Sequence, residues 1–416
     1  MAGLINLFPQ YYQQTLDKII SIQSAMLDLK VPNISLDLAG IVSLADLSTI
    51  AHRTALTGDA TLLDAFILCP GLHLQQRATE VHGNEYPAVA AMTTGYAFRV
   101  ENPATVYYLQ QVGRTGQLTT LSVTSIKNRT RAQRGMAKLF SGYTANPMVV
   151  IPYFLAVGGT LTTLVLLILT EDVWGLVVIL LLMLSRLIHI FLIRNRNHEG
   201  WKGAKEPGVN GDLLVLLSQD RWVRIRGRVD DLKAVTSGNW LREMNAVESA
   251  LAGFATILVY FTAALASNAK QTGKILLTIL LISSAGLLGV VNMSTRVMQM
   301  HGNIIKVDGP RKEYTRRLDL AKELVKESGR TDWALRLGMI NTASQVQDVQ
   351  PDEKAMEASE VIIPVLIIKL QRGFHKLSLR LSWLVSFGNA GFSLQRMETN
   401  HGRRGGMRHR QFSIRV

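Results

Sequence analysis

Four apolar runs, each about as long as a bilayer's hydrocarbon core is thick, constrain this chain more than any other feature. Met148–Leu169, Val173–Ile193, Ala246–Ser267 and Gly273–Thr295 each supply the roughly 20 residues that about 30 Å of hydrocarbon requires. A helix is the only form such a run can take in lipid, because an open strand leaves backbone groups unpaired there. Glu171 and Asp172 separate the first two runs, and Asn-Ala-Lys-Gln-Thr separates the last two. The expected fold class is therefore membrane α-helical, with four transmembrane helices as two hairpins (148–193 and 246–295) and mixed α/β cytoplasmic regions.

The placement of charge gives the expected orientation. The chain carries a net charge of +14, and its lysines and arginines are not evenly spread. The region before the first run holds 11, with Lys127, Arg129, Arg131, Arg134 and Lys138 crowded at its end; the central segment holds 10 and the region after the fourth run 21. The two short connections hold only Lys270 and Lys274. Cationic residues flank the cytoplasmic ends of spans, so both termini and the central segment are expected in the cytoplasm, and the basicity needs no nucleic-acid partner. The single cysteine, Cys69, cannot form an intrachain disulfide, which suits a reducing compartment.

Ahead of the first run, the apolar stretch from Ile34 to Leu74 is broken by Asp37, Asp46, His52, Arg53, Asp59 and Asp64. It reads as part of a water-facing fold, which assigns 1–147 to a cytoplasmic N-terminal domain. Within the second run, Arg186 and His189 interrupt the hydrocarbon. A run ending near Ile193 leaves Arg186 about 10 Å below the boundary at 1.5 Å per residue, within snorkelling reach of water. The functional alternative pairs it with Glu248, which begins the third run from the same side. Arg186, His189 and Glu248 thus form a candidate intramembrane polar site, since ionisable groups inside a bilayer are functional candidates.

The central segment, 194–245, contains an apolar strand from Leu213 to Leu217, a turn at Ser218–Asp220 and then strict alternation. Val223, Ile225 and Val229 fall on one face, and Arg224, Arg226 and Arg228 on the other; period two with β-branched residues marks a β-hairpin. The arginine face is either solvated or in contact with anionic lipid and phosphate. Past the fourth run, Asp308-Gly309-Pro310 marks a helix start, and Tyr314, Leu318, Ala321 and Val325 recur at helical spacing before Gly329. With the acidic linker 348–360 it completes a region spanning 296–360. Within 361–390, Lys369, Arg372, Lys376 and Arg380 line one helical face while Ile367, Leu370, Phe374, Leu377, Leu381 and Leu384 line another. Such a basic amphipathic helix suits an anionic leaflet or a protein partner, and the glycine-rich basic tail 391–416 reads as disordered.

Catalytic signatures are missing from the sequence. It has no HExxH, CxxC, phosphate-cradling glycine loop or nucleophile elbow, and Cys69, His73 and His82 are the nearest approach to a ligand cluster. No cofactor or metal is expected. The expected role is a non-enzymatic scaffold, adaptor or accessory subunit acting through its cytoplasmic face, in contact with the lipid bilayer, anionic lipids and a cytosolic protein partner. The alternative is an oligomeric transporter or channel with its polar site at Arg186 and Glu248, in which the chain assembles as a homo-oligomer.

Overall fold

A computed structural model of the protein describes residues 38–126 and 146–347, together with Lys18 and Ser21. The described residues fall within one compact unit. The arginine and lysine cluster at 127–138, the amphipathic helix with Lys369, Arg372, Lys376 and Arg380, and the basic tail lie outside the described residues.

Four helices are long and apolar enough to cross a membrane. They are α4 (Pro147–Leu169), α5 (Val173–Arg196), α7 (Ala246–Leu265), which a 3-10 turn extends to Asn268, and α8 (Gln271–Ser294). Local chemistry sets their starts. The Asn146 side chain accepts from the Met148 amide ahead of Pro147 at the first helical position, Asp172 accepts from the Gly175 amide, and Asn245 and Glu248 form a reciprocal capping box. Each of these satisfies amide donors that a helix leaves open at its first turn. The closest packing in the bundle does not follow chain order: α4 lies on α8 and α5 on α7.

At one end of the bundle, Asp172 ties the two connecting turns together. Its carboxylate accepts from the Lys270 amide at 3.0 Å, and the Lys270 ammonium donates to the Thr170 carbonyl at 2.8 Å. Gly273 must be glycine here, since a Cβ would stand 1.8 Å from an Asp172 oxygen.

At the other end sits a mixed sheet of eight strands among the described residues: β1 (Ala88–Ala91), β2 (Ala97–Arg99), β3 (Gln117–Ser125), β4 (Asn210–Leu217), β5 (Arg221–Arg228), β6 (Val297–Met300), β7 (Asn303–Val307) and β8 (Lys312–Glu313). Their order is β2-β1-β4-β5-β3-β7-β6, with β8 on β3. Only β3 and β5 run parallel, with Leu121 opposite Ile225. The segments that the sequence divides among three separate regions, before, between and after the long helices, therefore share one sheet. The physical reason is pairing: β3 has no sequence neighbour to bond, and finds β5 and β7 instead.

The β4–β5 hairpin turns at Ser218–Asp220, where Gln219 and Asp220 take positive φ. Glu85 secures that turn by accepting from both the amide and the hydroxyl of Ser218, at 2.7 and 2.6 Å. Burial pushes the Glu85 carboxyl up, but these bonds, a third from Gln110 and the charge of Arg221 outweigh it and hold it below its ordinary pKa. The β6–β7 hairpin has His301 and Gly302 at its tip, both at positive φ, as a tight two-residue turn of the hairpin type requires.

Both faces of the sheet are covered. On one, Val215, Val223 and Ile225 pack with α2 (Thr49–Thr57), α3 (Pro103–Val112) and α6 (Val229–Thr236). On the other, Leu214 and Trp222 pack beneath Leu320, Ala321 and Leu324 of α9 (Arg317–Ser328) and Trp333 of α10 (Asp332–Arg336). The helix expected to begin at Pro310 starts at Arg317, because Lys312 and Glu313 pair with β3 as β8 before the chain turns. It ends, as the sequence indicates, at Gly329 in the left-handed conformation. Trp222 and Trp240 are core residues, whereas Trp201 is 84% exposed.

Helix α3, which covers the sheet, is bonded to the end of α8. Tyr108 donates from its hydroxyl to the Arg296 carbonyl at 2.8 Å, just beyond α8, and Gln111 donates to the Asn292 carbonyl at 3.3 Å within it. The Trp240 indole donates to the Gly58 carbonyl at 3.0 Å.

Candidate functional site inside the helix bundle

The stretch that reads as water-facing in the sequence, from α1 (Leu38–Ser43) through two 3-10 segments (Leu62–Phe66 and Leu72–Glu80), packs among the four long helices. Gly40 lies so close to α7 near its far end that an added Cβ would meet the Ala263 carbonyl oxygen at 2.6 Å. Nine residues later the Thr49 carbonyl accepts from Asn292 at the sheet end of α8. The chain then turns back into the bundle, where the Phe66 carbonyl accepts from Thr160 at 2.6 Å and the His73 carbonyl from Thr256 at 3.4 Å. Carbonyls of these short 3-10 segments are thus satisfied by hydroxyls from the long helices, the condition under which backbone outside a regular α-helix survives at membrane depth.

This insertion carries charge with it. Asp64 is buried, and its carboxylate accepts from the Tyr153 hydroxyl at 2.8 Å and from the amide and hydroxyl of Thr61 at 2.7 and 3.0 Å. Arg186, 2% exposed and ten residues from the end of α5, donates from Nε to the Asp64 backbone carbonyl at 3.2 Å. At 1.5 Å per residue that places it about 15 Å along the helix from the sheet end. Arg53 lies over the Tyr153 ring, 5.6 Å from its centroid. Both guanidiniums interact electrostatically with Asp64. Buried charges are retained where they are paired and bonded, and here one carboxylate serves two guanidiniums.

Arg186 therefore does not snorkel; it turns inward, because an acid waits for it inside. Nor does it meet Glu248. The Glu248 carboxylate is occupied by Arg242 at 2.6 Å, by the Asn195 side chain at 2.6 Å and by the Asn245 amide of the capping box at 3.0 Å. His189 is buried one turn from Arg186, and neither its Nε2 nor Nη1 of Arg186 has a hydrogen-bond partner among the described residues. Asp64, Tyr153 and Arg53 are the members that sequence reasoning missed. The signal was present in Asp64 and Arg53 as charges inside an apolar stretch, but it read as solvent exposure.

The arginine face of β5 is likewise not free. Arg224 bonds Asp212 on β4 at 2.5 Å and Glu327 on α9 at 2.6 Å, and Arg226 reaches the same two acids at 3.3 and 2.7 Å. Burial lowers the Arg224 pKa, but its bonds to Asp212 and Glu327 reverse this and raise it. The bond from Arg224 comes first among the contacts that hold the Glu327 carboxyl below its ordinary value. On this face, read from the sequence as either solvated or in contact with phosphate, Arg224 and Arg226 are paired with Asp212 and Glu327, and Arg226 and Glu327 stay partly exposed. Arg228 alone of the three is exposed with no ion-pair or side-chain hydrogen-bond partner among the described residues.

Cys69 is buried in the bundle with His73 nearby in sequence, while His82 stacks edge-on against Tyr86. Among the described residues no group of three histidine, cysteine or acidic side chains is placed to hold a metal ion. Comparisons of the chain with protein-family models, with curated proteins and with solved structures find no match.

Proposed function

We propose that this protein is a multi-pass membrane protein that crosses the bilayer four times as two hairpins, with both termini in the cytosol, and acts there as a non-enzymatic scaffold, adaptor or accessory subunit. The observation that carries the reading is the single sheet stitched from all three segments at one end of the bundle, with α3, which covers it, bonded to the end of α8. Such a construction holds a folded platform at fixed height and orientation over the membrane, which is what a docking subunit needs and a flexible tether cannot give. Lysine and arginine gather in the three segments on that side, and the two connecting turns are tied to each other at the opposite end.

A cysteine scan in a Cys69→Ala background tests the orientation, with single cysteines at Glu171 and at Gly208. A membrane-impermeant maleimide added outside intact cells is expected to label position 171 and not 208. The reverse pattern overturns the topology. Capture of stoichiometric cytosolic partners by the full chain, with no solute flux from reconstituted vesicles, supports the scaffold role.

A second reading is an oligomeric transporter. It is favoured by one observation, the two buried nitrogens of Arg186 and His189 without partners, which are donor or acceptor capacity of the kind that lines solute paths. Flux that disappears with Arg186→Met would establish this reading in place of the first.

A further inference from the structure

On the lipid-facing side of the bundle, α5, α7 and the first 3-10 segment enclose an open groove of about 680 Å³, within the range of small-molecule sites, roughly 300–1,000 Å³. Its walls are apolar for most of its length. Leu62 comes from the inserted segment and is 62% exposed, Leu187 and Phe191 come from α5, the latter 63% exposed, and Leu251 comes from α7. Seven residues of α5, about 10 Å of rise, separate Leu187 from Arg194 at the groove's sheet end.

That end is basic. Arg194 is exposed and has no hydrogen-bond or ion-pair partner among the described residues. Beside it Asn195 donates to Glu248, which also holds Arg242, and the Arg242 carbonyl in turn accepts from Arg196 at 2.7 Å. Glu248 is thus committed to Arg242 and Asn195, which leaves the Arg194 guanidinium as an uncompensated positive charge at the end of a hydrocarbon trough. The trough is too apolar to hold a soluble ligand along its length, and the basic end is too charged to be left to acyl chains.

We propose that this groove is a specific site for one anionic glycerophospholipid of the leaflet on the sheet side, its acyl chain along Leu62, Leu187 and Phe191 and its phosphate against Arg194. The exposed Arg194 charge favours an anionic over a zwitterionic headgroup, since a single cationic side chain near an anionic surface contributes a factor of about five in binding. The inserted segment makes the site: without Leu62 the groove has one wall fewer and α5 presents an ordinary lipid-facing surface. The proposal rests on the bilayer reading of the four helices.

The test is native mass spectrometry of the full chain, delipidated in detergent and titrated with phosphatidic acid or phosphatidylcholine of matched acyl chains. Phosphatidic acid is expected to bind at one copy per chain and more tightly than phosphatidylcholine. Arg194→Gln is expected to weaken phosphatidic acid about fivefold and phosphatidylcholine less, Arg194→Lys to restore most of the loss, and Leu62→Trp to weaken both lipids by filling the trough. Arg228→Gln, an exposed arginine on the sheet, should change neither. Equal binding of the two lipids, an unchanged Arg194→Gln, or a lipid-free dimer that buries the groove overturns the proposal. Failure of the bilayer reading looks different: the chain would then stay monodisperse in buffer without detergent.

Discussion

Replacing Asp64 by asparagine removes a charge from the middle of the bundle while keeping the shape of the side chain. In the native protein that carboxylate accepts from Tyr153 and twice from Thr61, and it faces the guanidiniums of Arg53 and Arg186. Without it two buried cations have no counter-charge, and the amide nitrogen is forced against one of the donors that Asp64 now satisfies. Breaking a buried ion pair by removing one partner costs about 3–5 kcal/mol, which lowers the thermal midpoint of a chain this size by on the order of 3–6 °C. The protein carries its own reporter, since Cys69 is its single cysteine and is buried in the same bundle. A maleimide dye that fluoresces on reaching the thiol during heating reads the opening of that region in detergent. The double variant Asp64→Asn, Arg186→Met also removes one of the stranded cations, so it should recover a substantial part of the loss; neighbours in one network do not add. A midpoint within about 2 °C of the parent for Asp64→Asn, or strict additivity in the double variant, would refute the view that these charges are energetically one unit.

Gly273→Ala is expected to destabilise by about 1–3 kcal/mol, the usual effect of forcing a methyl into filled space, because the Cβ would strike Asp172. Gly286→Ala, where nothing lies within 4 Å, should be neutral or stabilising by the same thermal assay. Glu327 loses stability on acidification in a defined direction. Its folded pKa is depressed, first by the hydrogen bond from Arg224 and then by charge, so its contribution is complete above the ordinary carboxylate range and disappears as pH falls through the lowered value. Below about pH 4, tryptophan fluorescence should therefore report a steeper loss of structure in the parent than in Glu327→Gln, which is already weakened at neutral pH; parallel acid curves would contradict this.

The long helices were legible because their composition leaves no other solution in lipid, and the β4–β5 hairpin because alternation at Val223 and Ile225 and the break at Ser218–Asp220 are both local. What lay beyond reach was long-range. Arg186 meets a partner 122 positions away, and Arg224 meets Glu327 across 103; neither separation leaves a periodic trace. Composition also cannot tell a charge turned to water from one buried against an opposite charge. For that reason Asp64 and Arg53 suggested an aqueous segment, and Arg186 was paired with Glu248, the acid nearest in depth, although capping had already claimed it.

The order of synthesis gives the sheet a schedule. Strand β3 leaves the ribosome early, yet Leu121 waits for Ile225, 104 positions later, and for Val307, 186 positions later. Before β7 arrives, all four long helices must have been made. The aqueous half is therefore completed last, and a chain stalled at any helix exposes an unpaired β3 edge of the kind that quality-control factors and other strands recognise. In this architecture, the edge of β3 that takes β7 and then β8 is closed only after every long helix has been made.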